Sequence, residues 1–519
     1  MRRYLYLGVF FSGMTSLALE LSASRLLGNY FGSSNLVWAC IIGLVLIYLT
    51  IGYSLGGKWA DQSPKYEKFF GILAWAALLV GLVPLAARPI LRFASQAFDA
   101  LHLGPMAGAF IAVLLLFSAP VILLGTASPF AIRLGLQDKR TSGSFSGRVY
   151  AVSTIGSFIG TFLPVLWLIP AVGTYRTFLI LSACLLVFSL FALWRAVSVQ
   201  SALKKMWMPL LLFLSAWIGL TDTDKNPTGL LYETESAYNY IQVLELDGTR
   251  YLRLNEGQGI HSVYQPGVDN YHGSWEYTLA APFISPASCN PADVQHIAIL
   301  GLAAGTSAKE ALQVFPNVTV DGYEIDRRVA EVGWQYFAMP HENEGLTVIA
   351  EDARWGLTKS TGGYDVVSID AFRPPYIPWH LTTREFFQQV SDKMNPRGVL
   401  LLNIVRMGSN HSLVDALAAT LRQVFSSVLI SDIPGMFNTI VFATRQPTSA
   451  VEVAQNTACL SAKSDTPTVI TDVLTTTLIN LQPLPTDGRV LTDDRAPVEW
   501  LTTRMLLDFI LSGQTRELQ

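Results

Sequence analysis

The sequence predicts a multi-pass helical membrane unit followed by a soluble α/β domain built on a doubly wound, mostly parallel sheet. Three observations carry this. Hydrophobic residues make up 51% of the 519 and charged residues only 14%. A soluble domain carries roughly 25% charged residues, so a single soluble globule of this composition would expose large apolar patches. Charge is segregated: residues 1–220 hold 16 Lys and Arg against 5 Asp and Glu, whereas residues 221–519 hold 20 against 34. The second part also alternates short strands with helices. Its acidity argues against a nucleic-acid ligand, which needs a basic footprint.

Seven apolar stretches can be drawn, at about 4–27, 36–56, 69–88, 105–126, 149–169, 175–194 and 206–220. Most are long enough to cross about 30 Å of hydrocarbon as helix; the last, of 15 residues, is the weakest. The first continues past signal-peptide length and is followed by the others, so it reads as a retained span. Gly156, Ser157 and Gly160 suit close helix packing in lipid. Twelve basic residues fall on the N-terminal side of the spans, against Arg88, Arg92, Arg176 and Lys225 on the other, which puts the N-terminus in the cytoplasm. Seven true spans would then place the soluble domain outside; a short seventh segment lying in the interface would keep it inside. Glu20, an acidic residue within a span, either fixes packing by pairing with Arg25 or Arg133 or handles a proton or amine.

In the soluble part, Tyr240–Leu246 and Thr249–Leu254 flank Asp247-Gly248, a hairpin signal. The period then changes. Strands are expected at 295–300, 318–323, 346–350, 364–369 and 398–403, with helices at 307–315, 327–337 and 382–394. Gly301 and Gly305, Glu324, Asp352 and Asp370 all fall at carboxyl ends of strands, where such a fold builds its site. Glu324 lies 23 residues after Gly301, the place of a carboxylate that takes ribose hydroxyls. A nucleoside site is expected. No phosphate-binding lysine motif and no cysteine–histidine cluster appears, so no metal is expected. Cys40 and Cys184 sit in apolar stretches; Cys289 and Cys459 are either paired or free.

The segment Tyr232–Asn403 resembles the spermidine synthases, and the whole chain resembles their membrane-fused bacterial relatives. The motifs are Ala18-Leu-Glu20, Arg25-Leu-Leu, Tyr30-Phe-Gly-Ser-Ser, Gly56-Gly-Lys-Trp-Ala-Asp61, Ile299–Thr306, Tyr323-Glu-Ile-Asp326, Glu351-Asp-Ala353, Ile369-Asp-Ala-Phe372, His380–Phe387 and Leu491–Glu499. The resemblance implies a membrane domain at 1–225, a small β-domain at 226–290, a Rossmann-like domain of the class I methyltransferase type at 291–450 and a C-terminal extension at 451–519. It implies decarboxylated S-adenosylmethionine or S-adenosylmethionine as co-substrate. By similarity Glu324 holds the ribose, Asp352 the adenine amino group, and Gln258 the thioether side; Asp370 accepts a proton from the attacking amine. Tyr277 corresponds to the tyrosine of the family's Tyr-His-Glu motif, and Tyr376 joins it and Arg373 as substrate-binding.

Four positions depart from the family. Ala304 stands where the glycine loop carries an acidic residue, the Tyr-His-Glu motif reads Tyr277-Thr278-Leu279, the second aspartate is Arg373, and the early glutamine is Asn239. Each lost carboxylate removes a site for a cationic amine. The expected reaction is aminopropyl transfer to an amine or other nucleophile. Alternatives are a methyltransferase or another S-adenosylmethionine-consuming enzyme, with the carboxylate of the donor facing Arg373, and a transporter-like protein with a nucleoside-sensing domain. The expected setting is the inner cell membrane. The soluble domain is expected in the cytoplasm because S-adenosyl donors are made there; placed outside, it would make a Cys289–Cys459 disulfide plausible. A homodimer is compatible with this reading.

Overall fold

A computed structural model describes residues 1–31, 35–101, 105–136, 142–219, 228–255, 259–371, 376–408, 410–485 and 488–511. The chain divides into two compact units, Met1–Pro227 with Glu233–Tyr240, and Thr228–Tyr232 with Ile241–Gln519.

The first unit is helical: α1 (Arg2–Phe31), α2 (Asn35–Gln62), α3 (Tyr66–Leu101), α4 (Pro105–Gly125), α5 (Ala127–Gly135), α6 (Ser142–Leu163), α7 (Ile169–Val172), α8 (Thr174–Ala196), α9 (Val199–Leu203) and α10 (Trp207–Gly219). Among the described residues six spans are long and apolar enough to cross a membrane, with α4 continuing into α5 and α6 into α7. The α6–α7 join is a π-helical turn at Pro164–Leu168, where proline withholds the N–H an α-helix would use. The seventh apolar stretch is the 13-residue α10. Close packing of α1 on α6 rests on the glycines singled out above: a Cβ on Gly156 would strike the carbonyl of Phe10, and one on Gly160 that of Met14. The two arginines weighed as partners for Glu20 bond elsewhere. Arg133 donates to Asp61 at 2.8 Å, and Arg25 to the carbonyls of Ser236 and Tyr238 at 2.7 Å each.

A four-stranded sheet follows, in the order β1 (Leu230–Glu235), β2 (Tyr240–Leu246), β3 (Thr249–Leu254), β4 (Ile260–Tyr264). The β2–β3 hairpin turns at Asp247 and Gly248, both at positive φ, as the Asp-Gly pair predicts. After α11 (Tyr277–Ala280) the second unit builds its main sheet. Its elements are β5 (His296–Leu300), α12 (Thr306–Val314), β6 (Thr319–Tyr323), α13 (Arg327–Tyr336), β7 (Leu346–Ile349), α14 (Ala353–Lys359), β8 (Tyr364–Ile369), α15 (Arg384–Lys393), β9 (Met394–Val405), α16 (Ser412–Leu421), β10 (Ser427–Asp432), β11 (Asn438–Thr444), α17 (Ala450–Ser461), α18 (Thr468–Ile479), β12 (Leu481–Gln482) and α19 (Val498–Leu511).

The sheet order is β12-β10-β11-β9-β8-β5-β6-β7. Strands β7, β6, β5, β8 and β9 run parallel, and β11, β10 and β12 are antiparallel. Both faces are covered, as apolar runs such as Val399–Leu402 require. One core joins Phe386, Phe387, Leu417 and Met505 to one face, and another joins Phe283, Phe315, Ile470 and Leu474 to the other. The C-terminal extension is therefore integral: α17, α18 and α19 close these cores and β12 adds a strand.

Candidate active site

Parallel strands point their carboxyl ends the same way, so the loops that follow them share one edge of the sheet. Across β7, β6, β5 and β8 these ends carry, in spatial order, Asp352, Glu324, Gly301 and Asp370. At about 4.8 Å per strand spacing the row is roughly 14 Å long, the scale of a nucleoside with a short substituent.

The loop after β5 makes room for a ligand by unusual backbone. Gly301, Ala303 and Gly305 have φ of 98°, 50° and 85°. A Cβ on Gly301 would lie 2.5 Å from the carbonyl oxygen of Asp370, so this position brings β5 and β8 together as only glycine allows. The loop is tied down by its own amides: Ala303 N–H donates to Glu324 Oε2 at 3.0 Å, and Ala304 N–H to Ser262 Oγ at 2.9 Å. Ala304 is buried and brings no charge to the loop.

Glu324 is 9% exposed, and burial pushes its carboxyl up to about 7, against the pull of the Asp326 and Ala303 amides. Each oxygen accepts one N–H at 3.0 Å and keeps acceptor capacity for a hydroxyl. Asp352 caps α14 through the Trp355 N–H at 3.0 Å, and its other oxygen meets His380 Nε2 at 2.9 Å. Asp370 is part-buried, and burial pushes its carboxyl up to about 6. Asn403 Nδ2 donates to Asp370 Oδ1 at 3.0 Å, and Asn438 Nδ2 donates to Asn403 Oδ1 at 2.9 Å. This relay from β11 through β9 to β8 fixes the carboxylate and opposes its rise. A carboxylate poised near neutrality at a strand end is suited to accept a proton.

The remaining expected residues are distributed differently. Tyr277 opens α11 and is 3% exposed, its phenol pushed up to about 12 by burial and then by the charge of Glu276; its ring belongs to the core with Phe283. Tyr376 is half-buried just past Pro375. Gln258 and Arg373 lie outside the described residues, as do Phe372, Pro374 and Pro375. Asn239 belongs to the helical unit. Asn403, Asn438 and Ser262 carry no motif in the sequence, and His380 opens one without a site role assigned to it. An asparagine closing the apolar run Val399–Leu402 was the available signal, because a buried amide needs a partner.

Residues 287–454 match the spermine/spermidine synthase domain. The C-terminal half of the chain is thus similar to spermine/spermidine synthases over that segment. The "Probable polyamine aminopropyl transferase" of Bifidobacterium longum is 30% identical over 288 residues, covering 53% of this chain and 62% of that protein. The polyamine aminopropyltransferase of Vibrio vulnificus is 29% identical over 213 residues, 40% of this chain and 68% of the relative. Among solved structures, a probable spermidine synthase from Corynebacterium glutamicum aligns over 46% of this chain and 88% of its own, at 20% identity and a TM-score of 0.39. The matched domain contains Gly301, Gly305, Glu324, Asp352 and Asp370, and also Asn403 and Asn438 of the relay.

Proposed function

We propose that the chain is a membrane-bound transferase that moves an aminopropyl group from decarboxylated S-adenosylmethionine to an amine. The observation that carries this reading is Asp370: a strand-end carboxylate raised to about 6 and held by the Asn403–Asn438 relay, beside a loop shaped for a ligand. The match to the synthase domain and the names of the two bacterial relatives support the reaction class.

In this reading Glu324 accepts the ribose hydroxyls and Asp352 the adenine amino group. The acceptor nitrogen attacks the methylene bound to the sulfonium. The new C–N bond forms as the C–S bond breaks, its electron pair returns to sulfur, and methylthioadenosine leaves. Asp370 takes the proton that nitrogen sheds. The sulfonium is already activated, so alignment and removal of that proton are what the protein contributes.

A second reading has one observation in its favour. Ala304 leaves the loop without an acid for the aminopropyl ammonium, so intact S-adenosylmethionine with methyl transfer, or another reaction of that donor, competes. Incubation of detergent-purified full-length protein with each donor and candidate amines separates them: methylthioadenosine reports alkyl transfer or elimination, aminopropyl transfer when it forms from the decarboxylated donor together with an alkylated amine, and S-adenosylhomocysteine reports methyl transfer. Binding without release of either nucleoside would favour a sensing role. Asp370→Asn keeps the shape and removes the base; it should lower turnover by about 10²–10⁴ with donor affinity nearly intact. Normal turnover of that variant would remove Asp370 from the mechanism.

A further inference from the structure

We infer that the synthase-type unit folds outside the cytoplasm, on the face of the membrane opposite the basic N-terminus, and is closed there by a Cys289–Cys459 disulfide. The inference is independent of the reaction proposed above and stands on four observations.

The first is direction. Helix α3 begins at Tyr66 on the basic side, and α10 runs along it in the same sense. Trp207 packs on Trp75 with ring centroids 5.6 Å apart, and five residues later Leu212 packs at Gly81, six residues further along α3. At 1.5 Å per residue, Gly219 comes about level with Arg88. Arg88 stacks on Tyr175 at the start of α8, which is the far end of the helical unit.

The second is the character of α10. Its sequence, WMPLLLFLSAWIG, has no charged residue, and Leu210, Phe213, Trp217 and Ile218 are each at least 60% exposed. A helix lying in the interface needs a charged face to keep in water; this one has none, so it is suited to crossing. Its described length of about 20 Å is short for a span, a mismatch that local thinning of the bilayer accommodates.

The third is where the chain re-emerges. Glu235 accepts from Thr174 N–H at 2.6 Å and Thr174 Oγ1 at 2.8 Å, at the N-terminus of α8, and from Asn29 Nδ2 at 3.2 Å, near the C-terminus of α1. Arg25 binds the carbonyls of Ser236 and Tyr238, as above. These groups form one partly buried cluster within the helical unit, at the end remote from Arg2. The segment Glu233–Tyr240 is therefore held at that end of the helical unit, and the 12-to-4 basic asymmetry makes it the outer one.

The fourth is chemical. Cys289, between α11 and β5, is bonded to Cys459 of α17, with Cα atoms 6.0 Å apart. Disulfides persist in oxidising compartments and are rare in the cytosol. The bond staples a 170-residue separation, anchoring the C-terminal helices to the sheet. This placement reverses the cytoplasmic expectation, which required residues 206–220 not to cross. A donor made in the cytoplasm would have to cross the bilayer to reach the site.

The test uses the full-length chain in intact bacteria, carrying a C-terminal tag and Cys40→Ala with Cys184→Ala to remove the other thiols. Protease added outside spheroplasts should remove the tag without lysis. When thiols are blocked before lysis, Cys289 and Cys459 should label only after reduction, and adding Cys289→Ser should make Cys459 label without it. Protection of the tag until lysis, or labelling of both cysteines without reduction, overturns the inference. Neither readout needs turnover, so an inactive protein tests it equally well.

Discussion

The amide of Asn403 offers the sharpest test of the proposed base. Asn403→Leu keeps the approximate volume and deletes the donor that reaches Asp370 Oδ1 at 3.0 Å. That hydrogen bond lowers the Asp370 carboxyl while burial raises it to about 6, so its loss must move the carboxyl further up. A hydrogen bond to a charged group is worth about 1.5–3 kcal/mol, and one pKa unit is about 1.4 kcal/mol, so the shift is about one to two units. A base at 6 is roughly 90% ionised at pH 7; at 7 to 8 it is roughly 50% to 10% ionised. The prediction is therefore a loss of about two- to tenfold in kcat/KM at pH 7 that closes by pH 9. The assay is nucleoside release under kcat/KM conditions from pH 5.5 to 9, with wild type and variant on the same amine so that acceptor ionisation cancels. An acid limb that stays in place, or moves down, would refute the relay and with it Asp370 as the base. A uniform loss at every pH leaves the limb in place and refutes the relay in the same way.

Glu324→Ala should weaken binding of any adenosyl ligand by about tenfold to a hundredfold, because hydrogen bonds from two hydroxyls to a carboxylate are lost; calorimetry with unchanged affinity would sink the ribose assignment. Gly301→Ala should cost at least about 2 kcal/mol, since it combines a left-handed φ of 98° with a Cβ 2.5 Å from the Asp370 carbonyl; a thermal midpoint equal to wild type would show that the loop can relax. Asp370→Asn also carries a stability signature. Burial raises the folded carboxyl above its ordinary value, so the folded state binds protons more readily and the ionised form costs stability above about pH 6. The variant's melting temperature relative to wild type should thus be higher at pH 8 than at pH 4; an equal offset at both would mean the carboxylate is not strained by burial.

Much of the fold was readable because the dominant signals are local. Apolar length marked the six spans, Asp247-Gly248 marked the hairpin, and the strand-to-helix period marked β5 through β9. The antiparallel end of the sheet was not readable. Strands β10 and β11 follow α16 without a signature distinguishing a reversal from another parallel crossover, and the short β12 draws its pairing from a strand about fifty residues upstream. Helix α10 was ambiguous for a related reason: 13 apolar residues can span a thinned bilayer or pack in a core, and only Trp75 and Gly81 of α3 give it a direction.

The site divides along the same line. Glu324, Asp352 and Asp370 could be placed because each follows an apolar run, and topology alone then sets them on neighbouring strands. What distinguishes them is not local. Asp352 spends one oxygen on the Trp355 amide and the other on His380, Glu324 accepts one amide on each oxygen, and Asp370 draws a single side-chain amide from a strand beyond its own. Burial also lifts Glu324 to about 7 and Asp370 to about 6. Burial and partner count are properties of the assembled sheet, since β9 and β11 deliver Asn403 and Asn438 from 33 and 68 residues away in sequence. A motif can therefore nominate a carboxylate, whereas the choice between holding a hydroxyl and taking a proton depends on neighbours that only the folded sheet supplies.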